Sequence, residues 1–340
     1  MKFIGSLLLV LVVSTVAQAQ LPHAATPEEY KKAVQYNSRI NISSTTIDKL
    51  LRPTEEYAKF KFLLMTADEQ LGVDKSIFAK NLPADVKLVL LTSPGSESSV
   101  KSKYLKHLPA DRLIVASHSS ASVGFWSRDS FPIPVYEEDN STKLIIQKYY
   151  RNFQGQQAVA NSVSYPSTKY DFIFVGGNFM ADEFGNCFVV DSERLFGTSL
   201  DTIKNAYGCS TLTAMPWLTG IGDIDEVLKV LPDKNAITNQ AEIKTIMENL
   251  GYKVTMLPKA GGDRTYANSV LINGTLFMPS YKTSDDAVAQ KVYESFGYKV
   301  VPMDSRNISD MGRGSLHCIT MAYPDINLES MLSEMGYTTY

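Results

Sequence analysis

A repeated unit constrains this chain more than any other feature. Ile243, Ile246, Met247 and Leu250 share one face at helical spacing, Gly251 ends the run, and Tyr252-Lys253-Val254 reads as a strand start. The unit returns 46 residues later. There Val288, Val292 and Phe296 share a helix face, Gly297 stops it, and Tyr298-Lys299-Val300 follows. Met335-Gly336-Tyr337 closes a third copy, and Ala206-Tyr207-Gly208-Cys209 and Gln70-Leu71-Gly72-Val73 are weaker ones. Such spacing marks one supersecondary unit used several times.

The segments between helices read as hairpins. Residues 270–278 carry Asn273-Gly274 at their centre, the strongest short hairpin signal. Residues 178–190 turn at Asp182-Glu183-Phe184-Gly185, and residues 131–146 turn at Glu138-Asp139-Asn140-Ser141. Upstream, strands are predicted at 59–65, 86–91 and 112–116, with a helix over 99–107 between the last two. Thr26-Pro27-Glu28-Glu29 predicts a helix start in the lead segment. Hairpin, helix, strand, repeated about five times with no Pro-, Gly- or Ser-rich linker, predicts one α/β domain of pseudo-symmetric ββαβ-type units. Their loops would converge on a central pocket.

At 340 residues the chain can bury a large core. Charged residues are 20% of it and the net charge is -3, with no basic runs, which argues against a nucleic-acid partner. Residues 1–19 read as a secretory signal: Lys2, an apolar run from Leu7 to Val13, then Ala17-Gln18-Ala19 with cleavage expected after Ala19. The run is too short to span a bilayer, and no other stretch is long and apolar enough. The expectation is an exported, soluble protein, periplasmic or extracellular, with a lead segment at 20–49 and a domain at 50–340. Three cysteines, Cys187, Cys209 and Cys318, leave at least one unpaired within the chain. If a pair forms, Cys187 with Cys209 is favoured, which would leave Cys318 free.

Chemistry-bearing groups stand beside the units. Trp126-Ser127-Arg128-Asp129 precedes the first hairpin, and Val175-Gly176-Gly177-Asn178 begins the second. Gly222-Asp223-Ile224-Asp225-Glu226 leads into a stretch read as helical, and Tyr266-Ala267-Asn268 precedes the Asn-Gly hairpin. Gly314-Ser315-Leu316-His317-Cys318-Ile319-Thr320 reads as a short strand reached through a Gly-rich turn. Strand alternation would then turn His317 away from any pocket that Cys318 faces. Each group also has a plain structural reading. Asp129 pairs with Arg128, Asn178 forms a turn, Asp223 and Asp225 make an exposed acidic turn, and Cys318 is a buried hydrophobe.

Taken together, in this order, these motifs resemble the agmatine deiminase and bacterial, Porphyromonas-type peptidylarginine deiminase group of the guanidine-modifying, or pentein, superfamily. The resemblance runs from about residue 50 to the C terminus and implies the pentein α/β-propeller. It implies a hydrolase that attacks a guanidinium carbon with a cysteine, releases ammonia and passes through a covalent thiouronium; no metal or cofactor is implied. By this resemblance Cys318 is the nucleophile, and Asp129 and Asp225 clamp the guanidinium with charged hydrogen bonds. Trp126 forms an apolar wall that could stack on it, Asn268 orients a reacting group, and Asn178 lines the pocket.

Two positions depart from the pattern. Relatives carry Gly-His-x-Asp, and its His is the general acid/base; here the position is Asp223. Agmatine-type relatives place Glu where this chain has Val175, which favours a peptide substrate over agmatine. Asp223 itself is the expected acid/base, with a pKa raised beside Asp225 and lowered by a bound cation. Of His23, His107, His118 and His317, His118 is the expected stand-in imidazole. Arg151 is a candidate for meeting a substrate carboxylate, or else a solvated surface residue. The alternatives are an agmatine deiminase, a non-catalytic guanidinium or arginyl-peptide binder on the same fold, or an enzyme transferring the amidino group to an amine. The oligomeric state is not readable.

Overall fold

The computed structural model describes residues 23–39, 51–119, 121–151 and 167–340; the expected signal at 1–19 lies outside them. Among the described residues the strands form five sheets. Three sheets show the whole repeat. Leu228–Leu231 and Asn235–Thr238 pair antiparallel, helix Ala241–Asn249 crosses, and Lys253–Met256 returns parallel to the hairpin's second strand. Val270–Ile272, Thr275–Ser280, Asp285–Glu294 and Lys299–Asp304 do the same, as do Met180–Ala181, Asn186–Asp191, Leu200–Tyr207 and Thr211–Pro216. In a fourth sheet Ser167–Ile173 runs parallel to the second strand of the hairpin Ile133–Tyr136 and Thr142–Lys148.

The fifth sheet joins distant parts of the chain. Met321–Tyr323 pairs antiparallel with Phe62–Thr66, which runs parallel to Lys87–Thr92 and then Leu113–Ser117. Near-continuous apolar runs such as Leu88–Leu91 are what a strand buried on both faces requires. The Asn273-Gly274 turn has positive φ at both residues, 43° and 85°, so the hairpin forms where it was predicted. Gly251 and Gly297 end their helices at φ 86° and 83°, the left-handed geometry that glycine adopts without strain. This is why the repeat is punctuated by glycine.

Two expectations need correction. Residues 316–319 form a turn, and the strand begins only at Met321. Alternation therefore does not decide where His317 points. The stretch after Gly222 is one short 3-10 turn, Ile224–Glu226, leading into strand Leu228–Leu231 rather than a helix. The lead segment forms the helix expected of it. Its helix Pro27–Asn37 starts with the expected cap, Glu29 N donating to Thr26 Oγ1 and Thr26 N to Glu29 Oε2. It is then fastened to the body, where Asn37 Nδ2 donates to Ile173 O and Phe196 O at 3.0 and 2.9 Å.

Cys187 and Cys209 are bonded, with Cα atoms 5.8 Å apart, and Cys318 is free. The bond ties strand Asn186–Asp191 to the end of helix Leu200–Tyr207 across a sequence separation of 22. Closing a loop of this length is worth about 3 kcal/mol. Replacing both cysteines with serine should lower the unfolding free energy by about that amount, read by the urea midpoint at unchanged m-value.

Candidate active site

Two groups of buried polar side chains meet around the Trp126 and Cys318 segments. The first is built on carboxylates. Asp129 lies in the helical turn Ser127–Ser130 and is 1% exposed, while Asp223 stands at the start of the Ile224–Glu226 turn and is fully buried. Gly177 passes between them. Its N–H donates to Asp129 Oδ1 at 3.0 Å, and a Cβ there would stand 3.0 Å from Asp223 Oδ2 and 3.1 Å from Asp129 Oδ1. That crowding is the reason for glycine. Arg194 bridges the pair: Nε donates to Asp223 Oδ1 at 2.8 Å, and Nη2 to Asp223 Oδ2 at 2.9 Å and Asp129 Oδ2 at 2.5 Å. His23 completes the group. Its Nε2 is 2.8 Å from Asp129 Oδ2 and 3.9 Å from Asp223 Oδ2, and its ring stacks on Trp126 at 4.4 Å between centroids.

Burial alone would raise both carboxylates. For Asp129 the neighbouring His23 and Arg194 overcome burial and hold it well below the usual range. For Asp223 burial prevails, with the Asp129 charge adding to it against the pull of Arg194, and its pKa is pushed up to about 6. The pair thus divides into one firmly ionised carboxylate and one that titrates near neutrality.

The second group surrounds the thiol. Asn268 Nδ2 donates to Cys318 Sγ at 3.1 Å, and Asn268 Oδ1 accepts from His317 N at 3.0 Å, so one amide fixes both the sulfur and its turn. Asp225 Oδ2 lies 3.7 Å from Cys318 Sγ and 2.7 Å from His317 Nδ1. Asp225 Oδ1 is buried without a hydrogen-bond partner. On the far side of the imidazole, Nε2 is 2.9 Å from Glu56 Oε1, an ion-pair distance off the hydrogen-bond axis. Glu56 is held in turn by the buried Lys229 at 2.6 Å. Against burial, Lys229 and then His317 and Arg128 keep Glu56 well below its usual pKa. Burial, then the Asp225 carboxylate, pushes the Cys318 thiol well up, so the resting sulfur is protonated.

Of the residues singled out from sequence, Trp126, Asp129, Asp223, Asp225, Asn268 and Cys318 belong to these two groups. Arg194 links Asp129 to Asp223, while Asp225 faces the thiol and His317. Asn178 is not a pocket group. It exchanges hydrogen bonds with the Val190 backbone at 3.0 and 2.7 Å and so ties its turn to the next strand. Arg151 is neither solvated nor aimed at the thiol; it is 4% exposed and donates to Ala24 O at 3.0 Å. His118 packs against Tyr337 with ring centroids 5.1 Å apart, and the imidazoles brought to the site are His23 and His317 instead. Sequence reasoning missed His23, Arg194 and Glu56. A histidine close behind the expected signal gave no periodic cue. Arg194 lies outside every motif singled out from the sequence.

A cavity of about 200 Å³ lies between residues 218–226 and 259–265, with Glu226 and Thr265 in its wall. Thr265 Oγ1 donates to Glu226 O at 2.6 Å. This wall is therefore one residue from Asp225 and three from Asn268. A second cavity, about 180 Å³, lies against Arg194 and is lined by Ala24, Ala25, Tyr30, Phe196 and Trp217.

Residues 225–324 match the family model of Porphyromonas-type peptidyl-arginine deiminase. A Shewanella baltica protein carrying the agmatine deiminase name is 36% identical over 83 residues, which span 23% of this chain and 22% of that relative. Campylobacter jejuni agmatine deiminase superposes with a TM-score of 0.67 at 17% identity, covering 84% of this chain and 99% of that one. A Porphyromonas gingivalis structure solved under the name arginine deiminase gives 0.62 at 20% identity, covering 81% and 98%. The α/β fold is that of these proteins.

Two measurements check the electrostatics. Arg194→Ala leaves two buried carboxylates facing each other and should cost about 3–5 kcal/mol in urea unfolding at pH 7, more than Asp223→Asn. Cys318 alkylation by iodoacetamide should be slow at pH 7 and still rising with pH above 9, because only the thiolate reacts and the thiol pKa is raised. A plateau below pH 8 would contradict the assignment.

Proposed function

We propose that this chain is a member of the pentein superfamily and an exported deiminase that hydrolyses the guanidinium of arginine within peptides, with Cys318 as nucleophile. The observation that carries the reading is the buried Asp225 Oδ1, which has no hydrogen-bond partner while Oδ2 of the same carboxylate lies 3.7 Å from the only free thiol. A guanidinium N–H donated to that oxygen would bring its planar carbon to the sulfur.

Bond making proceeds as follows. The Cys318 sulfur attacks the guanidinium carbon, and the thiol proton passes through Asp225 to the departing nitrogen, which leaves as ammonia. A thiouronium remains on Cys318. Water then adds to the carbon, the C–S bond breaks, and the thiol regains a proton. The sum is guanidinium plus water giving a urea and ammonium. The arriving cation opposes the two effects that keep the thiol protonated, burial beside Asp225 foremost. His317, held between Asp225 and Glu56, orients Asp225 and can exchange protons with it. Asp223, titrating near 6, remains the second candidate proton donor. The Cys187–Cys209 bond supports an oxidising, exported setting, and Val175 in place of glutamate supports peptide arginine over agmatine.

A second reading is favoured by the internal cation. Arg194 already satisfies Asp129 and Asp223, as a protein that binds guanidinium groups without turning them over could tolerate. One set of assays separates the two. Purified protein is given an arginyl peptide, agmatine and free arginine over a broad pH range, with ammonia and ureido product measured. A deiminase releases both from the peptide; Cys318→Ala abolishes release, and His317→Ala lowers it by roughly a hundredfold. No turnover with any of the three, together with peptide binding unchanged in Cys318→Ala, establishes the binder.

A further inference from the structure

We infer that the N-terminal segment from His23 through helix Pro27–Asn37 is a displaceable strap. In this reading its His23 imidazole occupies a cation place that a substrate guanidinium takes when the strap withdraws. The inference rests on the deiminase reading only for the identity of the incoming cation.

Charge shows the place. Asp129 and Asp223 offer two carboxylates, and Arg194 supplies one permanent cation to them. Room for one further positive group remains, and His23 stands in it, 2.8 Å from Asp129 Oδ2. The ring lies on Trp126 at 4.4 Å and 26°, the contact a planar guanidinium would make on an indole. Space agrees with charge. A Cβ on Gly314 would approach His23 Nδ1 to 3.2 Å, and that nitrogen is buried with no hydrogen-bond partner. The imidazole is therefore accommodated rather than fully bonded, as a substitutable occupant would be.

Near the site the strap is held chiefly through its backbone, with Arg194 Nη1 also donating to His23 O at 3.4 Å, Arg194 Nη2 3.3 Å from His23 Nε2, and Arg151 Nε 3.5 Å from Glu29 Oε1. His23 N donates to Gly312 O at 2.7 Å, Tyr150 Oη donates to His23 O at 2.6 Å, and Arg151 Nη2 donates to Ala24 O at 3.0 Å. The Arg151 guanidinium is thus spent on holding the strap. Beneath Ala24, Ala25 and Tyr30 the 180 Å³ cavity already reaches Arg194. Lifting residues 23–25 would open that cavity onto Asp129 and Trp126, giving the buried site a mouth wide enough for an arginyl side chain.

The test compares the full exported chain with its His23→Ala variant, using 2-chloroacetamidine as a cationic thiol reagent and iodoacetamide as a neutral one. The strap predicts that His23→Ala speeds alkylation of Cys318 by the amidine roughly tenfold more than alkylation by iodoacetamide, and lowers KM for an arginyl peptide. Equal rates in wild type and variant overturn the strap, as does loss of turnover in a variant that melts like wild type, since His23 would then belong to the chemistry. Should His23→Ala not fold, hydrogen exchange on the wild type decides. Saturating N-acetyl-arginine amide should accelerate exchange across residues 24–37, and unchanged or slower exchange overturns the proposal. If neither protein turns over peptide while the amidine rate still rises in the variant, the strap stands and the deiminase reading fails.

Discussion

The buried triad Asp129–Arg194–Asp223 is the interaction on which the rest of this structure depends. Two carboxylates 1% exposed or less cannot stay ionised together without a cation between them. The triad recruits its parts from four places: the Trp126 segment, the Gly176-Gly177 turn, the Glu193–Leu195 turn and the Gly222 segment. It therefore fixes how successive units meet at their inner ends. The cost of desolvating three charges is offset only by near-complete hydrogen bonding, and most of the contacts are between 2.5 and 3.0 Å.

Beside this balanced group lies one deliberately left incomplete. Asp225 has one oxygen engaged by His317 and one unpartnered, and the neighbouring thiol is kept neutral by burial and by that same carboxylate. A neutral resting thiol next to a carboxylate resists oxidation until a cation arrives. In the proposed deiminase, substrate binding and nucleophile activation would be one event. The chain's own Arg194 shows which charge the carboxylates of the cleft prefer.

The fold was readable in the sequence because its determinants are local and repeated. Gly251, Gly297 and the Asn273-Gly274 turn are places where backbone geometry dictates the residue, and each appears in the structure where the pattern put it. The motif residues were readable as a set through order and spacing; counting cysteines required only that one stay unpaired within the chain, and the Cys187–Cys209 pair favoured there is the one that forms. The errors were of another kind. His317 was dismissed on a strand alternation that does not apply, because residues 316–319 turn. Arg151 and Asn178 were assigned from proximity to motifs, but their partners are Ala24 and Val190. His23 and Arg194 reach the site from 106 and 65 residues away from Asp129, and nothing in local pattern reports such a contact.

The central claim is that the buried Cys318 forms a covalent bond to a guanidinium carbon held by Asp225. The most direct measurement is acid quenching during incubation with an arginyl peptide, followed by mass analysis of the segment containing Cys318. The account predicts a thiouronium adduct on that cysteine, absent in Asp225→Asn and appearing with ammonia release. Ureido product accumulating with Cys318 unmodified at every time point, or undiminished in Cys318→Ala, would contradict it.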